Sequence, residues 1–314
     1  SDTVNIGSFN FPRVTAHNLV FWSTVPNGVA DTLNYNDTAK ASNVYAALDT
    51  TYTIGASGAD FPTFTAAVDA LQKAGILDTV TFVVQTGTYN EQFTIEPYTG
   101  ASASRPVTFR SQTGDSTDVT ITHKNTSSKN YLVRLMGADY LKFQGMTFKP
   151  TDNTYGHCIV MSGGAKGIQI CNNQFLGLTN PYWYYSTFIY SSTDNDDSCV
   201  IEKNFFSQGN QAIELYGLGY SNPESGVIVR NNTIQNGART AIYLANHQGT
   251  KVIGNRIMLK NNSSSKTGIS ITNSRYTLDV SCNNITSTGL YDYGIYLDHD
   301  GTVGQQGMVY NNFV

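Results

Sequence analysis

The amino-acid sequence predicts an all-β solenoid, a parallel β-helix with a short helix capping its N-terminal end, on three observations. The first is a phrase of the form apolar-x-apolar-x-Asn-x-apolar, which returns in residues 168–175, 200–206, 228–234, 252–257, 280–285 and 309–313. Aligning Asn173, Asn204, Asn232, Asn255, Asn283 and Asn311 gives steps of 31, 28, 23, 28 and 28 residues, a period characteristic of stacked repeats. The second is another phrase on the same beat, at 158–161, 187–190, 212–215, 241–244, 268–271 and 294–297, alternating apolar with polar or aromatic as a strand does. The third is what lies between them: Gly, Ser, Asn and Thr, with no helical stripe, which excludes leucine-rich and helical repeats. A β-sandwich has comparable turns but gives two strand phrases no shared register.

The asparagines have a physical reason. In coils stacked about 4.8 Å apart as parallel strands, one corner recurs above itself. Asn tolerates left-handed backbone angles and bonds laterally to its copy in the next coil. One Asn per coil is therefore expected to make the turn and form the ladder, while its apolar neighbours fill the interior.

The elements before the repeats follow in order. Residues 1–51 carry neither phrase and read as a lead-in segment or the tail of a preceding domain; 52–314 form the β-helix. A strand at 52–55 leads to Pro62, after which Phe64, Ala67, Val68 and Leu71 share one helical face that Gly75 ends, predicting a helix near 62–75. Such a helix covers the otherwise open first coil. Short strands follow at 80–84, 87–89, 93–95, 107–109 and 119–121, and the regular beat starts at 132–135 and 141–148. Val314 falls inside a repeat phrase, so truncation, a covering partner or further domains of a larger multidomain protein are expected at that end.

Composition narrows the partners. Only 13% of the 314 residues are charged and 20 are tyrosine, a β-rich makeup that fits an extracellular or cell-surface protein. A net charge of −4 gives no basic footprint for nucleic acid, and no apolar run approaches the ~20 residues of a membrane span. The chain begins Ser1-Asp2-Thr3-Val4, without the pattern of a signal peptide. Of the four cysteines, Cys171 aligns with Glu202 on the outside and Cys199 with Ile168 in the core, so free and mostly buried thiols are expected rather than a bridge.

Tyr52-Thr53-Ile54-Gly55, Phe61-Pro62-Thr63-Phe64-Thr65-Ala66-Ala67-Val68 and Gly87-Thr88-Tyr89-Asn90-Glu91 together resemble the opening of right-handed parallel β-helix proteins of the pectin lyase-like superfamily. The later Asn corners resemble the repeat regions of that superfamily and of large secreted bacterial surface proteins. The resemblance implies a right-handed coil and a carbohydrate partner. It implies no residue-level mechanism. The signatures that give pectin methylesterases their nucleophilic Asp, acid Asp and positioning Arg are missing, and of the polygalacturonase blocks only Asp196-Asp197 and Arg256-Ile257 are echoed, out of order.

Ligands of such coils lie on an outer sheet face, so the residues alternating with the apolar ones are the candidates. In the second phrase these are Glu214 and Tyr216, Tyr243 and Ala245 with His247, Ser270 and Thr272, and Tyr296 and Asp298 with Asp300; Arg230, Arg239 and His299 are neighbours. Glu214 and Asp298 are three coils apart, about 14 Å, beyond the ~5–9.5 Å of a glycosidase pair. Asp298 and Asp300 are roughly 7 Å apart if extended and read either as acid and base of an inverting hydrolysis or as part of a polar turn. For β-elimination from a uronate, Tyr243 with His247 or Tyr296 with His299 would move the proton and Arg239 would neutralise the carboxylate. Tyr182, Trp183 and Tyr184, in the longest step between Asn corners, are candidate sugar-stacking rings. Asp194, Asp196 and Asp197 form the only carboxylate group suited to calcium; no zinc spacing or phosphate loop is present, so no other cofactor is expected. The functional expectation is a polysaccharide-binding module of a secreted or surface protein. The alternatives are a uronate lyase or inverting glycoside hydrolase, and a structural or adhesin stalk.

Overall fold

The computed structural model describes residues 9, 11–12, 15–22, 38–178, 185–192, 196–219, 221–237, 239–259, 265–287, 289, 292–300 and 307–314, without the side chains of residues 236, 299 and 300. The repeat unit is a coil of three strands. A strand such as Val200–Glu202 is followed by a two-residue corner, then by Phe205–Ser207, then by Gln211–Tyr216, before the chain enters the next coil at Ile228–Arg230. Stacking these units in parallel register makes a right-handed β-helix with three columns of strands.

The first strand phrase occupies the first two columns, on either side of the Asn. In the first, Phe109, Phe143, Ile170, Ile201, Val229, Val252, Val280 and Val309 lie above one another. In the second, an eight-stranded sheet, Phe148, Phe175, Phe206, Ile234, Ile257 and Ile285 do the same. The second phrase forms the third column, where Val133, Ile159, Ile189, Ile213, Ile242, Ile269 and Ile295 pair in register. All three columns turn these side chains inward. Phenylalanines stack where they succeed one another, Phe109 on Phe143 at 5.5 Å and Phe175 on Phe206 at 4.8 Å. Burial of these columns drives the folding of each coil onto its neighbour.

The corner asparagines form a continuous ladder. The Oδ1 of Asn232 accepts the backbone N–H and the Nδ2–H of Asn204, at 3.0 and 3.1 Å, while its own Nδ2 donates to Ile201 O and to Asn255 Oδ1, at 2.9 and 3.0 Å. The pattern runs through Asn173, Asn204, Asn232, Asn255, Asn283 and Asn312, and it starts on the backbone N–H of Met146. Two corrections to the sequence reading follow. The last rung is Asn312, not Asn311. And one Asn does not perform both tasks: the left-handed turn is made by the preceding residue, Asn172, Lys203, Asn231, Gly254, Cys282 or Asn311 at φ 53 to 67. The reason is geometric. The left-handed residue reverses the chain direction, and only the residue after it points its amide into the interior, where the copies meet.

The N-terminal helix, Phe64–Ala74, starts at Thr63, whose side chain accepts the Ala66 N–H, and stops at Gly75 (φ 66). It buries Phe64, Ala67, Val68 and Leu71 over the first coil, with Phe64 stacked on Phe93 at 5.3 Å. Glu91 fixes it in place: its carboxylate accepts the Phe64 and Thr65 N–H groups at 3.0 and 2.9 Å, a favourable charge at a helix N-terminus. Tyr89, in the same Gly-x-Tyr-x-Glu stretch, donates its hydroxyl to Gln85 O at 2.9 Å. Ahead of the solenoid, His17–Trp22 and Thr38–Val44 form a separate antiparallel pair.

Replacing Asn232 by Ala removes four hydrogen bonds and strands buried groups on both adjacent coils, so chemical denaturation should show a loss of about 4 kcal/mol. Lys203→Gly, which relieves a left-handed side chain, should instead gain about 0.5–1 kcal/mol. A loss for Asn232→Ala no larger than that of an exposed Asn would contradict the ladder's role.

Candidate functional site

The third column presents the richest outer surface. Its outward row runs Thr94, Arg134, Val160, Tyr190, Glu214, Tyr243, Ser270 and Tyr296, each paired with the next. Alternation puts Tyr216, Ala245 and Thr272 on the same face, one row on. Parallel register is what assembles the group, because each coil contributes one or two of its members.

Glu214 is the centre of this face. One carboxylate oxygen accepts the Thr187 hydroxyl at 2.8 Å and the other accepts the Tyr216 hydroxyl at 3.1 Å. The Tyr216 ring sits 5.2 Å from that of Tyr243, inclined at 51°, and Tyr243 shares a hydrogen bond with the Thr272 hydroxyl at 3.2 Å. On the other side, Tyr190 stacks on His157 at 4.9 Å, with the planes 5° apart. The His157 Nδ1 lies within hydrogen-bonding distance of both backbone groups of Thr187, and burial pulls its pKa down to about 4. Burial and the Glu214 charge raise the Tyr216 phenol well above its usual range, so Tyr216 stays a protonated donor. The result is a run of ring faces broken by one hydroxyl-clamped carboxylate. Such a surface offers aromatic faces for stacking and a carboxylate acceptor for hydroxyl or other donors.

Several expected residues lie elsewhere. His247 is buried at 1% exposure instead of facing outward. The left-handed Asn246 (φ 61) turns the chain after Ala245, so His247 opens the next strand with its side chain inward. Its Nε2 bonds Leu215 O at 3.2 Å, which removes it from surface proton transfer. Tyr296 and Asp298 are exposed on the strand Tyr293–Asp300, so this stretch continues the sheet where a polar turn was one expectation; the side chains of His299 and Asp300 lie outside the described residues. Arg239 precedes the strand Ile242–Ala245, and its backbone N–H bonds Asn210 O. Tyr182, Trp183, Tyr184 and Asp194 also lie outside the described residues. Asp196 and Asp197 accept the N–H groups of Ala165 and Ser225, at 2.7 and 2.8 Å. Cys158, Cys171 and Cys199 are buried free thiols and Cys282 is an exposed one.

Two features escaped sequence reasoning. Tyr190 ends the strand phrase 187–190, in register with Glu214 and Tyr243, and the alignment of the repeats identifies it. Glu224 gave no signal, being one carboxylate in a polar interval. It is 1% exposed and directly pairs His247, with its Oε2 3.9 Å from the imidazole Nδ1. Burial raises the Glu224 pKa to about 8; the backbone N–H groups of Asp196 and Leu218 oppose that shift, and the charges of Asp196 and Asp197 add to it. Neither N–H reaches hydrogen-bonding geometry. Burial lowers His247 to about 4. Near pH 7 both groups are therefore uncharged, and they titrate inside the coil, away from the outer face.

The family model described as periplasmic copper-binding protein (NosD) matches residues 144–314. The chain belongs to the NosD family. Its coils are those of the pectin lyase-like superfamily. Among solved structures, this NosD-family chain is similar to the pectin methylesterase of Aspergillus niger, with 19% identity over 81% of this chain and 86% of that one and a TM-score of 0.46. It is also similar to an alginate lyase of Paenibacillus sp. str. FPU-7, with 14% identity over 84% and 99% of the two chains and a TM-score of 0.37. No curated protein matches. Copper favours convergent imidazole and sulfur donors, whereas among the described residues no group of three or more His, Cys, Asp or Glu side chains is arranged to hold a metal ion. The imidazoles, thiols and carboxylates of the described residues therefore form no copper site.

The buried titrations set a pH profile. Between about pH 4 and 6.5, His157 and His247 bind protons only when unfolded, so stability rises with pH. Between 4.5 and about 8, Glu224 keeps a proton that the unfolded chain has released, so stability falls with pH. The two histidines prevail at the acid end and Glu224 acts alone above pH 6.5. Urea denaturation should show stability falling from pH 6.5 to 8, and Glu224→Gln should flatten that limb.

Proposed function

We propose that the chain is a polysaccharide-binding β-helix that works outside the cytoplasm, holding a glycan across the outer face of the third column. The observation that carries this reading is the contiguous set Tyr190, Glu214, Tyr216 and Tyr243, in which neighbouring rings and a hydroxyl-clamped carboxylate share one surface over three coils. Tyr296 and the exposed Asp298 extend the surface toward the C-terminal coils. A coil spacing of about 4.8 Å is close to the length of one sugar unit, so successive coils meet successive units. The periplasmic location in the family description agrees with an exported chain. Residues 52–314 form the binding solenoid in this reading, and 1–51 lead into it.

Binding is favoured over catalysis by the placement of the acids and bases. Glu214 has no second carboxylate at glycosidase distance in its row, since Tyr243 and Ser270 separate it from the coil of Tyr296 and Asp298. His247, the imidazole expected beside Tyr243, faces the interior.

Affinity electrophoresis in gels carrying uncharged, amine-bearing and uronate polysaccharides tests the proposal. Retardation by at least one of them is expected, and Tyr243→Ala should weaken it about tenfold through loss of ring contact with the fold intact by circular dichroism. Soluble product in parallel incubations would establish an enzyme instead. Retardation unchanged in both Tyr216→Ala and Tyr243→Ala would remove this face as the site.

A further inference from the structure

The geometry of this face points to a charge preference: the site takes uncharged or amine-bearing glycans and rejects polyuronates, an inference that rests on the polysaccharide reading above. Glu214 sits in the middle of the row, between Tyr190 and Tyr243. Both its oxygens accept hydroxyl hydrogens, from Thr187 and Tyr216. A carboxylate engaged in this way is an acceptor only, and its remaining lone pairs are offered to donors on a ligand. Sugar hydroxyls and ammonium groups are donors, whereas a uronate carboxylate is not.

Among the described residues of the two rows beside Glu214, from Tyr190 onward, none is a cation. From Tyr190 to Tyr296 the outward row reads Tyr, Glu, Tyr, Ser, Tyr, and the row beside it Tyr216, Ala245 and Thr272, followed in the next coil by the exposed Asp298. The row's arginine, Arg134, is three coils before Glu214 and donates its Nε–H to the Ser162 hydroxyl at 3.2 Å. A polymer with a carboxylate on each unit, lying along these coils, brings one of them within about 5 Å of Glu214, one coil spacing. At that distance like charges repel by an amount equal to roughly fourfold in affinity when fully hydrated and over a hundredfold when half-buried. An ammonium at the same place is attracted by the same factor.

The test measures retention of wild-type protein and of Glu214→Gln on chitosan, xylan, polygalacturonate and its fully methyl-esterified form. The galacturonan pair shares one backbone and differs in charge and by one methyl group per unit. Wild type should bind the uncharged or amine-bearing polymers about tenfold or more tightly than the polyuronate, and Glu214→Gln should narrow that gap several-fold by admitting the polyuronate. Should the variant fold poorly, raising the salt concentration on wild type supplies the same readout, because screening should narrow the gap too. Wild-type retention on polygalacturonate equal to or above that on its ester and the other polymers overturns the charge preference and leaves the binding reading standing. Absence of retention on every polymer overturns both.

Discussion

The face that carries Glu214 depends on one repeated buried oxygen, the Asn Oδ1 that accepts N–H groups from the coil before it. Inside the coil that oxygen has no water to turn to, and its amide nitrogen has two hydrogens to place. The ladder satisfies all of them at once, because each amide sits between its copies. An amide out of register by one residue would leave its own group and those of two neighbours unpaired, at about 1–3 kcal/mol for each buried group. The ladder therefore fixes the register of the first and second columns. The inward isoleucines of the third column, paired coil by coil, fix the rest.

Register is what turns a repeating interior into a specific exterior. A slip of one residue would exchange the outward and inward sides of a strand, taking Tyr190, Glu214 and Tyr243 off the surface together. None of these residues is held by its own loop. Their positions follow from the buried residues on either side of each, such as Ile213 and Leu215 around Glu214 and Ile189 and Ser191 around Tyr190. The helix protects the arrangement at its N-terminal end, and Glu91 of the first coils holds that helix by its leading N–H groups. The Gly-x-Tyr-x-Glu stretch, read from the sequence as a family resemblance, is in physical terms a clamp between cap and coil.

The fold was legible because its determinants repeat. Asn, apolar pairs and alternation recur with the coil, and both strand phrases fall into the columns that their spacing implies. The outward row was legible for the same reason, including Glu214, Tyr216, Tyr243 and Tyr296. What escaped was local and unrepeated. His247 follows a left-handed Asn246 that reverses its side, and no pattern over one coil reveals a single φ of 61°. Glu224 is a lone carboxylate whose burial depends on the third-to-first corner, a segment of different length in each coil. The exchange of roles between Asn231 and Asn232 was hidden because both residues are Asn, and only the coils with Lys203, Gly254 or Cys282 before the ladder residue separate the turn from the rung.

Hydroxyl-radical footprinting of the tyrosines, with and without a saturating uncharged polysaccharide, tests the central claim most directly. Protection concentrated on Tyr190, Tyr216 and Tyr243, with Tyr89 and Tyr98 of the first coils unchanged, is the predicted result. Protection absent from those three rings would show that the register of the third column builds no glycan site.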